Sequence, residues 1–234
     1  MIAHSELSVS VLIPTVSGRE TFLEMCVTGY LRNTPAWVDL EFVILRDRLT
    51  CGVGWQEAAE RASGTYLHFS NDDIVPRTGW LEPLVHAALC GYVVAPWIQH
   101  GDWGGFYGAA PGVGQEDDWQ DVDHSAMPFC ERERFKRVGP IIATHYGVDN
   151  WFAERVRAAG MRLVGRRESV LDHWNIQIGR EKGDWTQVDL LDYDCGIALP
   201  EYRAGVRPPT EMPPDRLTPE GLARARQWRK ENVL

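Results

Sequence analysis

Apolar residues follow two patterns in the first hundred residues of the chain. Short runs rich in Val, Ile and Leu are typical of buried strands, and they occur at 8–13, 40–45, 65–70 and 92–95. Apolar residues three or four positions apart are typical of one helix face, and they occur at 22–31, 56–62 and 80–89. This strand–helix alternation predicts an α/β fold with a mostly parallel central sheet flanked by helices.

Two local signals precede the first two predicted helices. Residues 17–20 (S-G-R-E) have the spacing of a capping box, which predicts that Ser17 caps the first helix. Residues 51–54 (C-G-V-G) predict a glycine-rich turn before the second helix.

The pattern changes after residue 100. Residues 101–114 are rich in glycine and aromatic residues and have no periodicity, which predicts a mobile loop that closes over a bound ligand. Beyond the loop we expect helices at 131–137 and 149–159 and short strands at 161–165 and 169–171. Residues 207–214 are rich in proline and predict a linker to a charged final helix at 222–231.

Composition narrows the classes of function. The 234 residues have a net charge of -9, which argues against binding to nucleic acid or to an anionic membrane. The five cysteines are widely spaced, which favours a reduced, cytoplasmic protein over a disulfide framework. No apolar run is long enough for a transmembrane segment, and homo-oligomer formation is left open.

The strongest chemical signal is Asn71-Asp72-Asp73, which directly follows the third predicted strand. Adjacent carboxylates repel each other unless water or a cation relieves them, and hard divalent cations prefer oxygen ligands. A solvated turn is the structural alternative, because Asn and Asp favour turns. Pro14-Thr15 and Arg46-Asp47 also follow predicted strands, so all three groups are expected at the ligand-binding edge of the sheet.

Five stretches, taken in order, give the chain a specific resemblance. They are V-S-V-L-I-P-T (9–15), A-S-G-T-Y-L-H-F-S-N-D-D (62–73), F-C-E-R-E-R-F-K-R-V-G-P (129–140), H-Y-G-V-D-N-W-F-A-E-R-V-R-A-A-G (145–160) and S-V-L-D-H-W (169–174). In this order the chain resembles a family 2 glycosyltransferase with a GT-A fold, a mixed and mostly parallel sheet. The resemblance implies a GT-A domain over residues 1–200, with a nucleotide-sugar-binding half at 1–100 and an acceptor-binding half at 101–200. Residues 201–234 then form the linker and the C-terminal helix.

The resemblance also implies roles for particular residues. Asp73 is expected to bind Mn²⁺ or Mg²⁺ together with His173, and Asp149 is expected to be the general base. Donor binding is implied for Pro14, Thr15, Arg19, Asp47, Asn71 and Asp72. Asp47 would contact the base of the nucleotide, and Asp72 the ribose or a phosphate.

Three departures from the family pattern bear on these roles. Trp55-Gln56 replaces an Arg-Asn pair, Val148-Asp149 replaces a Glu-Asp pair, and Arg46-Asp47-Arg48 replaces D-D-G-S. Asp117 and Asp118 are rival candidates for the base, because they follow the predicted mobile loop. Three tryptophans are candidates for stacking on a sugar or for plain core packing: Trp97, Trp103 and Trp119.

The function implied is therefore an inverting, metal-dependent transfer of a sugar from a nucleotide sugar, with a UDP-sugar favoured, to an acceptor hydroxyl. The alternatives are a non-catalytic sugar- or partner-binding domain and a nucleotidyltransferase. The loop after the first strand, residues 14–19, has one glycine and one arginine and matches a nucleotidyltransferase poorly. The acceptor is left open among protein, glycan, lipid-linked sugar, small metabolite and modified nucleobase.

Overall fold

A computed structural model describes residues 7–48, 50–100, 103–105, 120–122, 125–174, 193–204 and 218–232. The strands in these ranges are β1 Ser8–Thr15, β2 Asp39–Arg46, β3 Tyr66–Phe69, β4 Ile74–Pro76, β5 Val93–His100, β6 Trp103–Gly105, β7 Gln120–Asp121, β8 Phe129–Glu131 and β9 Leu163–His173. The α-helices are α1 Glu20–Asn33, α2 Cys51–Arg61, α3 Leu81–Leu89, α4 Arg132–Val138, α5 Val148–Ala158, α6 Leu199–Arg203 and α7 Pro219–Asn232. A π-helical turn, Asp194–Ala198, leads into α6.

The strands form one sheet in the order β2-β1-β3-β8-β5-β9-β4, with β6 paired to β5 and β7 paired to β9. The five longest strands, β1, β2, β3, β5 and β9, all run in the same direction. The short strands β4, β6, β7 and β8 run against their neighbours. The predicted α/β fold with a mixed, mostly parallel central sheet flanked by helices is confirmed.

The core lies on both faces of the sheet, which explains the continuous apolar runs in the central strands. Val11, Leu12 and Ile13 of β1 are completely buried. One polar network lies within this core. The Tyr30 hydroxyl is 2.8 Å from Nε2 of His68 and 2.9 Å from Oγ of Ser70, so it connects these two buried side chains.

The predicted glycine-rich turn at 51–54 is wrong, because these residues form the first turn of α2. Thr50 caps the helix, and its Oγ1 accepts a hydrogen bond from the Val53 amide at 3.2 Å. The glycines allow close packing instead. A Cβ on Gly52 would lie 2.1 Å from the carbonyl oxygen of Ile142, and one on Gly54 would lie 2.6 Å from Cβ of Pro14.

The predicted capping box at 17–20 is also wrong. Helix α1 begins after Arg19 and has no side-chain cap. The Ser17 hydroxyl instead donates to Oδ2 of Asp47 at 2.7 Å. Ser17 therefore binds Asp47, which follows β2, instead of capping α1.

Several short or irregular strands escaped the pattern. The two strands predicted at 161–165 and 169–171 are one strand, β9, whose pairing with β5 shifts register between Pro96 and Trp97. The strands β4, β7 and β8 were not predicted, and β6 lies inside the predicted mobile loop 101–114. The remainder of that loop is outside the described residues.

The C-terminal helices pack against each other around a glycine. A Cβ on Gly196 would lie 3.0 Å from Cα of Ala225 in α7. Helix α6 crosses the expected domain boundary between residues 200 and 201. The predicted linker at 207–214 is outside the described residues. Among the helices of the described ranges, none has the length and apolar character that a membrane span requires.

Candidate functional site

Polar residues from four strands meet at one edge of the sheet, where the long strands end. Thr15 ends β1, residues 71–73 follow β3, His100 ends β5 and His173 ends β9. Strand β4 then runs antiparallel to the last residues of β9, with Ile74 opposite His173. This return of the chain brings Asp73 beside the end of β9, where its carbonyl oxygen accepts a hydrogen bond from the Trp174 amide at 3.0 Å.

Asp72 is buried and holds three hydrogen bonds. The guanidinium of Arg19 donates from Nε to Oδ2 at 2.7 Å and from Nη2 to Oδ1 at 2.6 Å. The Thr15 hydroxyl donates to Oδ2 at 2.5 Å. Both carboxylate oxygens are therefore occupied by side chains from the end of β1 and the loop that follows it.

Asp73 has a different environment on each of its two oxygens. Oδ2 lies 3.3 Å from Nη2 of Arg19, which is a longer contact than the one that the same nitrogen makes with Asp72. Oδ1 lies 3.5 Å from Nε2 of His173. The structure thus brings together five of the residues predicted for the site: Thr15, Arg19, Asp72, Asp73 and His173.

The pair formed by Asp73 and His173 is compatible with a divalent cation. Two ligand atoms with bonds of about 2.1 Å to one cation lie about 3 Å apart when the bonds are perpendicular. The observed 3.5 Å between Oδ1 and Nε2 needs only a small movement to reach that separation. Within the described residues, no three His, Cys, Asp or Glu side chains are grouped so that they could hold a metal ion together.

Arg19 remains a cation in this environment. Burial lowers the pKa of Arg19. The hydrogen bond and charge of Asp72, followed by those of Asp73, raise it by more, so the pKa lies above its ordinary value. The guanidinium is therefore a fixed positive charge next to two carboxylates.

The side chain of Asp47 is exposed and binds Ser17, and the Asp47 amide donates to the Thr15 carbonyl oxygen at 2.9 Å. Its Oδ1 accepts from the Ser17 amide and its Oδ2 from the Ser17 hydroxyl, both at 2.7 Å. These hydrogen bonds lower the pKa of Asp47. Asp47 has a φ of 55°, which is unusual for a residue other than glycine.

Pro14 and Asn71 face α2. Pro14 packs against Gly54, and Oδ1 of Asn71 lies 3.8 Å from Sγ of Cys51 at the start of the helix. Neither contact tests the predicted role in donor binding, which stays a prediction for both residues.

The departure at positions 55 and 56 has a structural explanation. The Trp55 indole donates to the carbonyl oxygen of Ser70 at 2.9 Å and fixes the segment before the acidic pair. Oε1 of Gln56 accepts from the Ile141 amide at 2.8 Å. The two side chains thus hold the segments that contain Ser70 and Ile141 against α2. The positive charge beside the acidic pair comes from Arg19.

Asp149 lies in the first turn of α5, where acidic residues are favourable, after Gly147 in the left-handed conformation. The Gly52 amide donates to the Thr144 carbonyl at 3.0 Å and ties α2 to the segment before this helix. Burial raises the pKa of the Cys51 thiol, and the negative charges of three nearby residues raise it further: Asp149, Asp72 and Asp73. The predicted base and both members of the acidic pair therefore raise the pKa of the same thiol.

Sequence reasoning missed Asp194, which holds the turn in front of α5. The carboxylate is completely buried, and its Oδ2 accepts from the amides of His145 at 2.7 Å and Tyr146 at 2.8 Å. No pattern pointed to it, because it lies far along the chain in a segment without periodicity.

Sequence reasoning also missed His100 and Trp174, two aromatic residues at this edge. The rings of His100 and His173 meet edge to face with centroids 5.5 Å apart, as their parallel strands end together. Trp174 is 59% exposed next to His173. The strand-end position was the available signal for His100.

The three tryptophans that are candidates for sugar stacking or for core packing are placed only in part. Trp97 is half-buried, and the Arg167 guanidinium lies 5.1 Å from its ring centre, which occupies one ring face. The side chain of Trp103 lies outside the described residues, as do Trp119 and the rival bases Asp117 and Asp118.

Comparison with solved structures identifies the fold. The chain is similar to GalNAc-T7 in its crystal structure with UDP, GalNAc and Mn²⁺, with a TM-score of 0.62 and 14% identity over 97% of this chain and 55% of that one. It is also similar to S. aureus TarS 1-349 in complex with UDP-GlcNAc, with a TM-score of 0.59 and 11% identity over 78% of this chain and 63% of that one. The chain thus spans less than two thirds of each of these proteins.

These similarities show that the chain has the GT-A glycosyltransferase fold. No protein-family model matches the sequence, and no curated protein matches it. Membership of family 2 stays a prediction.

Proposed function

We propose that this protein is a glycosyltransferase that moves a sugar from a nucleoside-diphosphate sugar, with a UDP-sugar favoured, to an acceptor hydroxyl. The observation that carries the proposal is the convergence of Asp73 and His173 beside the Arg19–Asp72 pair. In α/β sheets, ligands bind beyond the carboxyl ends of the strands, which is where this cluster lies. The GT-A fold supports the same class of donor, because the similar structures contain UDP or UDP-GlcNAc.

The proposed cofactor is Mn²⁺ or Mg²⁺, held by Oδ1 of Asp73 and Nε2 of His173. The GalNAc-T7 structure contains Mn²⁺, which supports this choice. When bound, such a cation neutralises the charge that develops on a departing diphosphate.

The other residues of the site have distinct proposed tasks. Arg19 contributes positive charge next to the diphosphate position, and Thr15 and Asp72 keep its guanidinium in place. Pro14 and the loop held by Asp47 border the nucleotide, and Asn71 lies within reach of the ribose.

The proposed reaction inverts the anomeric carbon. The acceptor oxygen forms a bond to that carbon while the bond to the diphosphate oxygen breaks, and the electron pair of the broken bond leaves with the diphosphate. Asp149 takes the proton of the acceptor hydroxyl, a role that a positioned carboxylate can fill.

One observation favours a second candidate, a non-catalytic domain that binds sugars or a partner. Both oxygens of Asp72 are occupied by protein side chains, which leaves Asp73 as the carboxylate of the pair that faces a histidine. A domain that only binds a sugar or a partner needs no second carboxylate for this purpose.

Slow donor hydrolysis separates the two candidates. The protein is incubated with UDP-GlcNAc, UDP-GalNAc or UDP-glucose and Mn²⁺ without acceptor, and the release of UDP is measured. A glycosyltransferase releases UDP from at least one donor, and chelator stops the release. A protein that binds a donor and releases no UDP from any of them is a binding domain.

A further inference from the structure

We infer that Arg19 is the resident counter-ion of the acidic pair, that Asp72 anchors Arg19, and that an incoming divalent cation displaces Arg19 from Asp73. The inference rests on the proposed function and deepens it. It changes the role of Asp72, for which contact with the ribose or a phosphate was predicted.

The hydrogen bonds of Asp72 assign it to Arg19. The two parallel bonds from Nε and Nη2, at 2.7 and 2.6 Å, form the bidentate fork that gives an arginine–carboxylate pair its strength and fixed orientation. The Thr15 hydroxyl occupies a further position on Oδ2.

The contacts of Asp73 with Arg19 and His173 are longer than those of Asp72 with Arg19, and they involve different oxygens of Asp73. Nη2 of Arg19 is 3.3 Å from Oδ2 of Asp73 but 2.6 Å from Oδ1 of Asp72. The other oxygen of Asp73 faces His173 at 3.5 Å. A cation at Asp73 would therefore compete with the long contact and would leave the fork on Asp72 intact.

This arrangement has a consequence for the order of binding. Two neighbouring carboxylates without a counter-ion repel each other and attract any divalent cation. Because Arg19 already compensates part of this charge, a free cation gains less at the site than it would at a bare pair. A cation that arrives with a diphosphate is favoured, since the diphosphate can accept the positive charge of Arg19.

The inference is tested by measuring how tightly the protein binds Mn²⁺ without nucleotide. Binding is monitored by electron paramagnetic resonance as the loss of the signal of free Mn²⁺. Arg19→Gln removes the competing charge and should bind Mn²⁺ at least about ten-fold more tightly than the wild type. Arg19→Lys keeps the charge without the fork and should stay within a few-fold of the wild type. Arg19→Gln with unchanged or weaker Mn²⁺ binding would overturn the counter-ion role.

A pair of double variants with equal net charge separates anchor from ligand. Arg19→Gln/Asp72→Asn should bind Mn²⁺ about as well as the wild type, because Asp73 and His173 remain. Arg19→Gln/Asp73→Asn should lose binding. If the first double variant loses binding and the second keeps it, Asp72 is the ligand and the inference is wrong.

Melting temperatures cover the case of a poorly folded variant. Without divalent cation, Arg19→Gln should melt below the wild type, because two buried carboxylates lose their counter-ion. Mn²⁺ should restore more of its melting temperature than it adds to the wild type, and equal responses would contradict the inference. A wild type that binds no Mn²⁺ even with UDP present would instead contradict the proposed cofactor.

Discussion

At the residue scale, three carboxylates of the candidate site have different surroundings. Asp72 is bound to Arg19 and Thr15, Asp73 faces His173, and Asp149 stands at the start of a helix. Because their surroundings differ, we propose a structural role for Asp72 and chemical roles for Asp73 and Asp149. The roles can then be tested one side chain at a time.

The proposed base is tested by replacing Asp149 with Asn. The variant should bind the donor as the wild type does but transfer sugar about 100-fold more slowly or worse, the usual scale of general acid–base catalysis. Glu154→Gln is the matched control, because Glu154 lies on the same helix and pairs with Arg203 at 2.7 Å on the surface. Initial rates and calorimetric donor affinities of both variants give the comparison.

Normal transfer by Asp149→Asn would show that the base lies elsewhere, with Asp117 and Asp118 as the next candidates. The anomeric configuration of the product, read by NMR, provides an independent check. Retention of the donor configuration would contradict the inverting mechanism.

The buried histidine of the core makes stability depend on pH. Burial lowers the pKa of His68 to about 3 in the folded protein, whereas the ordinary value is 6.5. As the pH falls below 6.5, the unfolded chain takes up a proton that the folded protein cannot accept. The free energy of unfolding should therefore decrease on acidification, by about 1.4 kcal/mol per pH unit from this residue between pH 6.5 and pH 3.

Denaturant unfolding at about pH 7.5 and about pH 5 measures this effect. His68→Gln removes the titration and keeps a polar partner for Tyr30, so it serves as the reference. The wild type should lose about 2 kcal/mol more than the variant between these two pH values. An equal loss in both proteins would contradict the assignment.

At the scale of elements, the patterns predicted β1, β2, β3, α1, α3, α4 and α5 to within a few residues, but they divided the long strand β9 into two and did not predict the short strands β4, β7 and β8. Strands of two or three residues, such as β4 and β7, contain too few positions to show any alternation. The start of α2 was read as a turn because Gly52 and Gly54 usually mark turns. Here they let the helix approach the backbone of Ile142 and the side chain of Pro14, which are distant in the sequence.

Asp194 links the C-terminal turn to the helix that bears Asp149, so its replacement should affect the site. Asp194→Ala leaves the amides of His145 and Tyr146 without their acceptor, at a cost of about 1–3 kcal/mol for each buried group. The loosened turn should lower kcat while the donor affinity stays unchanged. Arg203→Gln, which breaks an exposed ion pair, is the control and should cost at most about 1 kcal/mol.

Chemical denaturation and steady-state kinetics together check this positioning role. A loss of stability with unchanged kcat in the folded fraction would make Asp194 a purely structural residue. A loss of donor affinity would place the effect at the nucleotide instead.

At the scale of the whole molecule, the fold and the meeting of strand-end residues were both predictable, because the carboxyl ends of parallel strands lie at one edge of the sheet. Thr15, Arg19, Asp72, Asp73 and His173 come together there as expected. Their pairing was not predictable. No sequence pattern says that Arg19 prefers Asp72 to Asp73, since the choice rests on distances of 2.6 and 3.3 Å from the same nitrogen.

The central claim is that this edge binds a nucleotide sugar through a divalent cation at Asp73 and His173. Calorimetric titration of UDP-GlcNAc, UDP-GalNAc and UDP-glucose in Mn²⁺ and in EDTA tests it most directly, with Asp73→Asn as the variant. Asp172→Asn is the control, because Asp172 precedes His173 but pairs with Arg77 at 2.6 Å.

At least one donor should bind in Mn²⁺, and EDTA or Asp73→Asn should weaken that binding at least about ten-fold, or about 1.4 kcal/mol. Asp172→Asn should bind like the wild type. Donor binding of equal strength in EDTA and in Asp73→Asn, or no binding of any nucleotide sugar in Mn²⁺, would contradict the account.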